Sequence, residues 1–183
     1  AMLKVYLMNV LWMLFCFVGA LMTPLYCLFT MSLDTRKWAH EVVERSCAKW
    51  ICKLIIAPVE VKGMEHIPKD FCSKSPAPVL IANHDSQIDL AATYYLEREW
   101  RWIAKSSVKF LPGVGQVMWL GRHVLIDRVK SKSTGKTGAR NLYIQSNESV
   151  QNGVPMFIFP QGTRRLGERL PFKDGAFKIA TEN

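Results

Sequence analysis

Residues 79–92, "VLIANHDSQIDLAA", decide how this chain is read. Val79 to Ala82 is a short apolar run of the kind that makes a buried strand. Five polar residues follow, Asn83 to Gln87. Then Ile88, Ala91, Ala92, Tyr95 and Leu96 recur at helical spacing. A strand therefore runs into a helix through a polar turn. With Ser86 as N-cap, Asp89 falls at N3, and Ser-x-x-Asp resembles a capping box. Capping accounts for Ser86 and Asp89 but leaves His84 unexplained. Helical side chains lean toward the N-terminus, so the Asp89 carboxylate is expected to look back at His84. A carboxylate beside an imidazole fixes its tautomer and favours its protonated form, which suits a general base. The first turn also offers free N–H groups to an anion. On spacing alone, capping and catalysis both stay open.

Working outward, strands and helices alternate. Trp102–Ala104, Val124–Ile126 and Pro155–Phe159 read as three more strands. Residues 139–151 read as a helix around Leu142, Tyr143 and Val150. This alternation predicts an α/β domain, a mostly parallel or mixed sheet covered by helices. Residues 59–78, with Gly63, Pro68, Pro76 and Pro78, read as a short strand and then a loop. Ligands collect beyond the carboxyl ends of parallel strands. His84 follows the first strand, Asp127-Arg128 the third, and Gly162-Thr163-Arg164-Arg165 the fourth. Parallel strands would bring His84, Arg128 and Arg164 to one rim, a base beside two fixed cations. Guanidinium pairs bidentately with phosphate and never deprotonates, so the rim suits a phosphorylated substrate.

The amino-terminal part has a different character. Val5 to Leu33 is an uncharged run of 29 residues, and about 20 apolar residues span a bilayer as a helix. A cleavable signal would have a shorter apolar region and a small-residue cleavage site. Pro24 lies inside the run, so a kinked span and two shorter helices within one leaflet both stay open. After it, Trp38, Ala39, Val42, Val43, Cys47, Trp50, Ile51, Leu54 and Ile55 mark one face of an amphipathic helix ended by Pro58. The pattern fits a helix at the membrane interface and one packed on its own domain equally well. Residues 1–34 are thus expected to form a membrane anchor segment, 35–58 the amphipathic helix, and 59–183 the α/β domain. The chain stops within another helical pattern, which predicts truncation at the carboxyl end.

Charge narrows the function classes. Residues 101–183 hold 14 Lys+Arg against 5 Asp+Glu and so carry the whole net charge of +9. A basic domain behind an apolar anchor points to anionic headgroups or phosphorylated substrates; no nucleic-acid-binding motif accompanies the charge. Cys16, Cys27, Cys47, Cys52 and Cys72 show no C-x-x-C spacing and read as reduced, packed thiols. The four His residues show no metal-ligand spacing, so no metal is expected. "KSTGKTG" at 132–138 fails as a phosphate-binding loop, because Lys130 stands where the first Gly is required. No G-x-S-x-G occurs, which argues against a serine esterase.

Four blocks in order resemble the glycerolipid acyltransferase family, most of all its 1-acyl-glycerol-3-phosphate (lysophosphatidate) acyltransferases. Asn83 to Asp89 is similar to the family's His-x4-Asp motif, and Gly121 to Arg128 to its second motif. Phe159-Pro160-Gln161-Gly162-Thr163-Arg164 is similar to the third, and Leu170 to Ala176 to a fourth. The resemblance covers roughly residues 59–180. One position departs from it: where the family most often has Glu before Gly-Thr-Arg, this chain has Gln161. An amide keeps the shape and an acceptor oxygen but drops the charge.

The resemblance implies transfer of an acyl group from acyl-CoA to the sn-2 hydroxyl of lysophosphatidate, giving phosphatidate. His84 would be the base and Asp89 its orienting partner. Arg128 and Arg164 would clamp the phosphate, with Gln161, Gly162 and Thr163 around it. Pro171 and Gly175 would shape the acyl-donor side. No cofactor is expected beyond the co-substrate acyl-CoA. The expected partners are lysophosphatidate, acyl-CoA and membrane lipids, with the catalytic domain facing the cytosol. Alternatives are a glycerol-3-phosphate or lysophospholipid acyltransferase, or a catalytically weak lipid-binding relative because of Gln161.

Overall fold

The computed structural model describes residues 2–56, 58–68, 70–71, 75–126, 137–164 and 170–182. The chain forms two compact units. One comprises Ala1–Met64, Leu90–Glu97 and Ser107–Arg122; the other comprises Glu65–Asp89, Arg98–Ser106 and His123–Asn183.

The second unit holds the sheet. Its strands are β1 (Val79–Ile81), β2 (Arg101–Lys105), β3 (Val124–Ile126) and β4 (Met156–Ile158). Their order is β1-β4-β2-β3, and every pairing is parallel. The sheet is therefore wholly parallel among the described residues, within the predicted α/β class. Side chains alternate between its faces, as the pleat requires. Val79, Ile103, Val124, Met156 and Ile158 pack with Leu142, Tyr143, Val150 and Ile179. Those partners lie on two helices of the same unit, Thr137–Gln151 and Gly175–Thr181. The other face carries aromatic rings. Trp102 and Phe157 pack with centroids 4.9 Å apart, and Trp100 meets Trp102 edge-on at 5.7 Å. Buried His123 accepts the Trp102 N–H on its Nδ1 at 2.9 Å, which gives that histidine a structural task.

The first unit is helical. Its helices include α1 (Met2–Leu21), α2 (Thr23–Thr30), α3 (Arg45–Ile51) and α5 (Val114–Leu120); α4 (Ile88–Thr93) follows β1. The uncharged run thus forms two helices, and Pro24 sits in the first turn of α2, where its missing N–H costs nothing. Residues 38–56 are helical: α3 is extended on both sides by wider turns, Trp38–Glu44 and Cys52–Ile56, with Ala39, Val43, Cys47 and Ile51 buried and Val42, Trp50 and Leu54 exposed. Cys16, Ala39, Val43, Val117 and Leu120 form its core with Trp12 and Trp38. Glu44 is buried yet satisfied, with Tyr94 Oη donating to its Oε2 at 2.7 Å and His40 Nδ1 at 3.1 Å. Burial, with Glu44 adding to it, pushes the Cys47 thiol up to about 12, so it is no nucleophile at neutral pH. Asp34, where charge resumes, is held down at about 2 by the Arg36 guanidinium, 2.7 Å away.

Two features differ from expectation. Residues 59–63 form no strand: Val59 and Val61 alternate with polar residues, but the backbone there joins no ladder, and a short turn follows at Met64–His66. An alternating pattern needs a partner edge to become a strand. Helix α5 was not read from the sequence, because glycines at 113 and 115 weaken the helical pattern. Gly113 has φ +74°, and a side chain there would run into the backbone of Met13 and Phe17 on α1.

Gly113→Ala is therefore expected to cost more than about 2 kcal/mol, from left-handed strain plus the clash. A lowered thermal midpoint in detergent is the result to look for; an unchanged midpoint would show that α1 and α5 are not held at this approach.

Candidate functional site

The site lies where β1 and β4 end side by side. Because both strands run the same way, His84, three residues past Ile81, and Gln161, three past Ile158, leave the same edge of the sheet. The two loops are joined directly: the His84 backbone N–H donates to Gln161 Oε1 at 2.8 Å.

Asp89 does two jobs with one oxygen. Its Oδ2 accepts the N–H groups of Asp85 (2.8 Å) and Ser86 (2.9 Å) and lies 3.1 Å from His84 Nδ1. Ser86 Oγ in turn accepts the Ile88 N–H at 3.0 Å. The capping contacts and the His84–Asp89 contact thus share one carboxylate oxygen. Beneath the imidazole lies Phe159, stacked with centroids 4.0 Å apart and planes 15° apart. Phe159 stacks on Trp102 at 5.7 Å. With Nδ1–H donated to Asp89, the lone pair is left on Nε2, which has no hydrogen-bond partner among the described residues. His84 is mostly sheltered, with 13% of its side chain exposed.

The Gly-Thr-Arg turn follows at once. Gly162 has φ +70°, a conformation that glycine adopts freely, and its N–H donates to Phe159 O at 2.9 Å. Thr163 and Arg164 are exposed on the same turn. Arg128 and Asp127 lie outside the described residues, as do Arg165 and Cys72. Pro171 is exposed, and Gly175 opens the helix Gly175–Thr181, with Tyr143 Oη beside it. Neither has a described hydrogen bond or ring contact with His84 or Asp89. The geometry therefore joins His84, Asp89 and Gln161 directly, and places Gly162, Thr163 and Arg164 next in line.

Two residues escaped the sequence reading. Phe159 sets the imidazole plane; an aromatic residue just past an apolar strand was the available signal. Lys173 donates its backbone N–H to Pro160 O at 3.0 Å and lays its ammonium against Gly162. No spacing rule reports that contact, which depends on how the chain returns past the Gly-Thr-Arg turn.

An oriented imidazole with a free Nε2, next to a glycine turn bearing an arginine, can take a proton from a hydroxyl held by an anionic group. The family model named Acyltransferase matches residues 58–183. This chain belongs to the acyltransferase family. A 1-acyl-sn-glycerol-3-phosphate acyltransferase of Chlamydomonas reinhardtii is 33% identical over 125 residues, which cover 68% of this chain and 35% of that protein. The chloroplastic 1-acyl-sn-glycerol-3-phosphate acyltransferase BAT2 of Brassica napus is 32% identical, covering 80% of this chain and 40% of that one. The human 1-acyl-sn-glycerol-3-phosphate acyltransferase beta is 36% identical, covering 57% and 37%. The chain thus spans well under half the length of these curated relatives. Among solved structures, PlsC, the 1-acyl-sn-glycerophosphate (LPA) acyltransferase of Thermotoga maritima, shares the fold. Its TM-score is 0.64 at 24% identity, covering 95% of this chain and 69% of that one.

In this member of the family, Gln161 supplies the acceptor on which the His84 loop hangs. Gln161→Leu leaves the His84 N–H without its bond and should cost about 1–3 kcal/mol, with a lower thermal midpoint. Gln161→Glu keeps an acceptor oxygen and should hold the midpoint near wild type. Equal losses in both variants would show that the bond is not what ties the two loops.

Proposed function

We propose that the chain carries out acyl transfer from acyl-CoA to the sn-2 hydroxyl of lysophosphatidate, forming phosphatidate. The observation that carries this reading is the free Nε2 of an imidazole fixed by Asp89 and Phe159, beside the Gly-Thr-Arg turn. The names of the relatives support the choice of acceptor.

In this reading His84 Nε2 takes the proton of the acceptor hydroxyl as its oxygen attacks the thioester carbonyl carbon. The tetrahedral intermediate then collapses: the carbon–sulfur bond breaks, and the imidazolium hands its proton to the departing sulfur, which leaves as the CoA thiol and returns His84 to its neutral form. The new bond is the sn-2 ester, and no covalent acyl-enzyme is needed. Asp89 stabilises the imidazolium without taking the proton itself. Arg164 grips the acceptor phosphate, with Arg128 as its proposed companion. Anchoring the phosphate holds the hydroxyl near the base, which turns binding energy into orientation. Gly162 and Thr163 let the backbone approach the substrate closely.

The substrates also fit the first unit. The 19-residue helix Leu3–Leu21 is long and apolar enough to cross a bilayer. Leu3, Tyr6, Leu21, Leu28 and Phe29 on α1 and α2 present exposed apolar surface. We place this part in the membrane from which a lysolipid would be drawn, with the site on the cytosolic side.

The test is release of CoA thiol in detergent micelles containing lysophosphatidate and an acyl-CoA. His84→Ala should lower kcat by about 10²–10⁴-fold; turnover unchanged by it would remove His84 from the mechanism. Lipid binding with no turnover in the wild type would favour the silent relative instead. Arg164→Ala should raise the acceptor KM by about tenfold or more while the acyl-CoA KM stays put. Equal rises in both constants would argue against a phosphate clamp.

A further inference from the structure

The Gly-Thr-Arg turn has a second cation beside it. A Cβ built on Gly162 would stand 2.8 Å from Lys173 Nζ, with the lysine's Cε at 3.6 Å and Cδ at 3.7 Å. The end of the lysine stem therefore lies along the open face of the glycine. That face exists only because residue 162 lacks a side chain. Lys173 is fixed at its root as well, by its N–H to Pro160 O at 3.0 Å. Two hydrogen bonds thus hold the ground around this ammonium: Gly162 N–H closes the turn on Phe159 O, and Lys173 N–H latches the returning strand of chain to Pro160.

Among the described residues no carboxylate forms an ion pair with Lys173, although Asp174 follows it in sequence. Lys173 is exposed, so its ammonium is open to a ligand. Holding a lysine end near backbone, when its stem could swing into water, costs rotamer entropy that no ion pair among the described residues offsets. An anion would. Arg164 begins two residues further along the same turn and is likewise exposed.

We propose that Lys173 is a second cationic ligand of the acceptor's phosphate, its ammonium bedded on Gly162 beside Arg164. This rests on the reading that the acceptor is a phosphorylated alcohol. A phosphomonoester carries between one and two negative charges at neutral pH. Guanidinium offers it a planar fork and ammonium a compact point charge, so the two cations are complementary. The positive φ calls for glycine at 162, and its open face leaves room for the end of the lysine. The phosphate contact also gives Lys173 a selective role, since an acceptor without a phosphate gains nothing from it.

The experiment compares wild type, Lys173→Met and Lys173→Gln, all as the full chain in mixed micelles. Two quantities are read: steady-state constants for lysophosphatidate and acyl-CoA, and affinity by calorimetry for lysophosphatidate against monoacylglycerol, which lacks the phosphate. The expected result is a rise of about 10- to 100-fold in the lysophosphatidate KM with the acyl-CoA KM unchanged. The preference for lysophosphatidate over monoacylglycerol should shrink by a similar factor. If Lys173→Met has lost its fold, judged by thermal unfolding, Lys173→Gln keeps the polar stem and decides the matter. An unchanged preference, or equal loss of both lipids, would overturn the role of Lys173. Should the wild type bind lysophosphatidate but never turn it over, the transferase reading fails, while the affinity ratio still decides for or against the lysine.

Discussion

Everything at this site depends on one carboxylate oxygen. Asp89 Oδ2 gathers the N–H groups of Asp85 and Ser86 and the Nδ1 of His84 within 3.1 Å. The backbone bonds begin helix α4, and the third contact orients the imidazole. Folding and chemistry are thus coupled through an atom that belongs to both. The negative charge of that carboxylate is what an imidazolium needs beside it. An amide at 89 would keep one acceptor oxygen but lose the charge, so the helix start would suffer less than the base.

Much of this was readable from residue order. Ser86 and Asp89 at capping spacing, just after an apolar run, locate a strand-to-helix turn. A turn of that kind in a parallel sheet belongs at the carboxyl rim. The class of fold followed from the alternation of short apolar runs with helical stretches, because each pattern has its own period. Other features have no local signal. The alternation at Val59 and Val61 looks like a strand until one asks what edge it would join. Helix α5 is interrupted by glycines that exist for a different reason, the close approach of α1 at Gly113. Lys173 reaches Gly162 across eleven positions, a distance set by the path of the chain and not by any periodicity.

Gln161 shows how a departure from a familiar pattern can be absorbed. Its oxygen accepts the His84 N–H at 2.8 Å, a task that asks for a lone pair and not for a charge. With an amide there, the carboxylate in contact with the imidazole among the described residues is that of Asp89, on the Nδ1 side. The Gly-Thr-Arg turn then keeps its cations unopposed by residue 161, which favours a strongly anionic ligand over a neutral one.

The imidazole is held in two independent senses. Asp89 fixes its rotation within the ring plane, because the Nδ1 contact has a direction. Phe159 fixes the plane itself, because rings stacked 4.0 Å apart with only 15° between them leave little room to tilt. Either constraint alone would leave one side-chain torsion loose. Together they leave Nε2 as the one ring nitrogen not already engaged, aimed along a defined line. A base that accepts a proton from a hydroxyl must meet it within hydrogen-bond reach, and a small misplacement costs much of the rate. The stack continues through Phe159 to Trp102 on β2, so the orientation of the base is tied to the aromatic face of the sheet. In the proposed mechanism, loosening that face disturbs catalysis before it disturbs binding, since there the phosphate is held by cations on a turn, whereas the plane of the proton-accepting ring is set by the sheet.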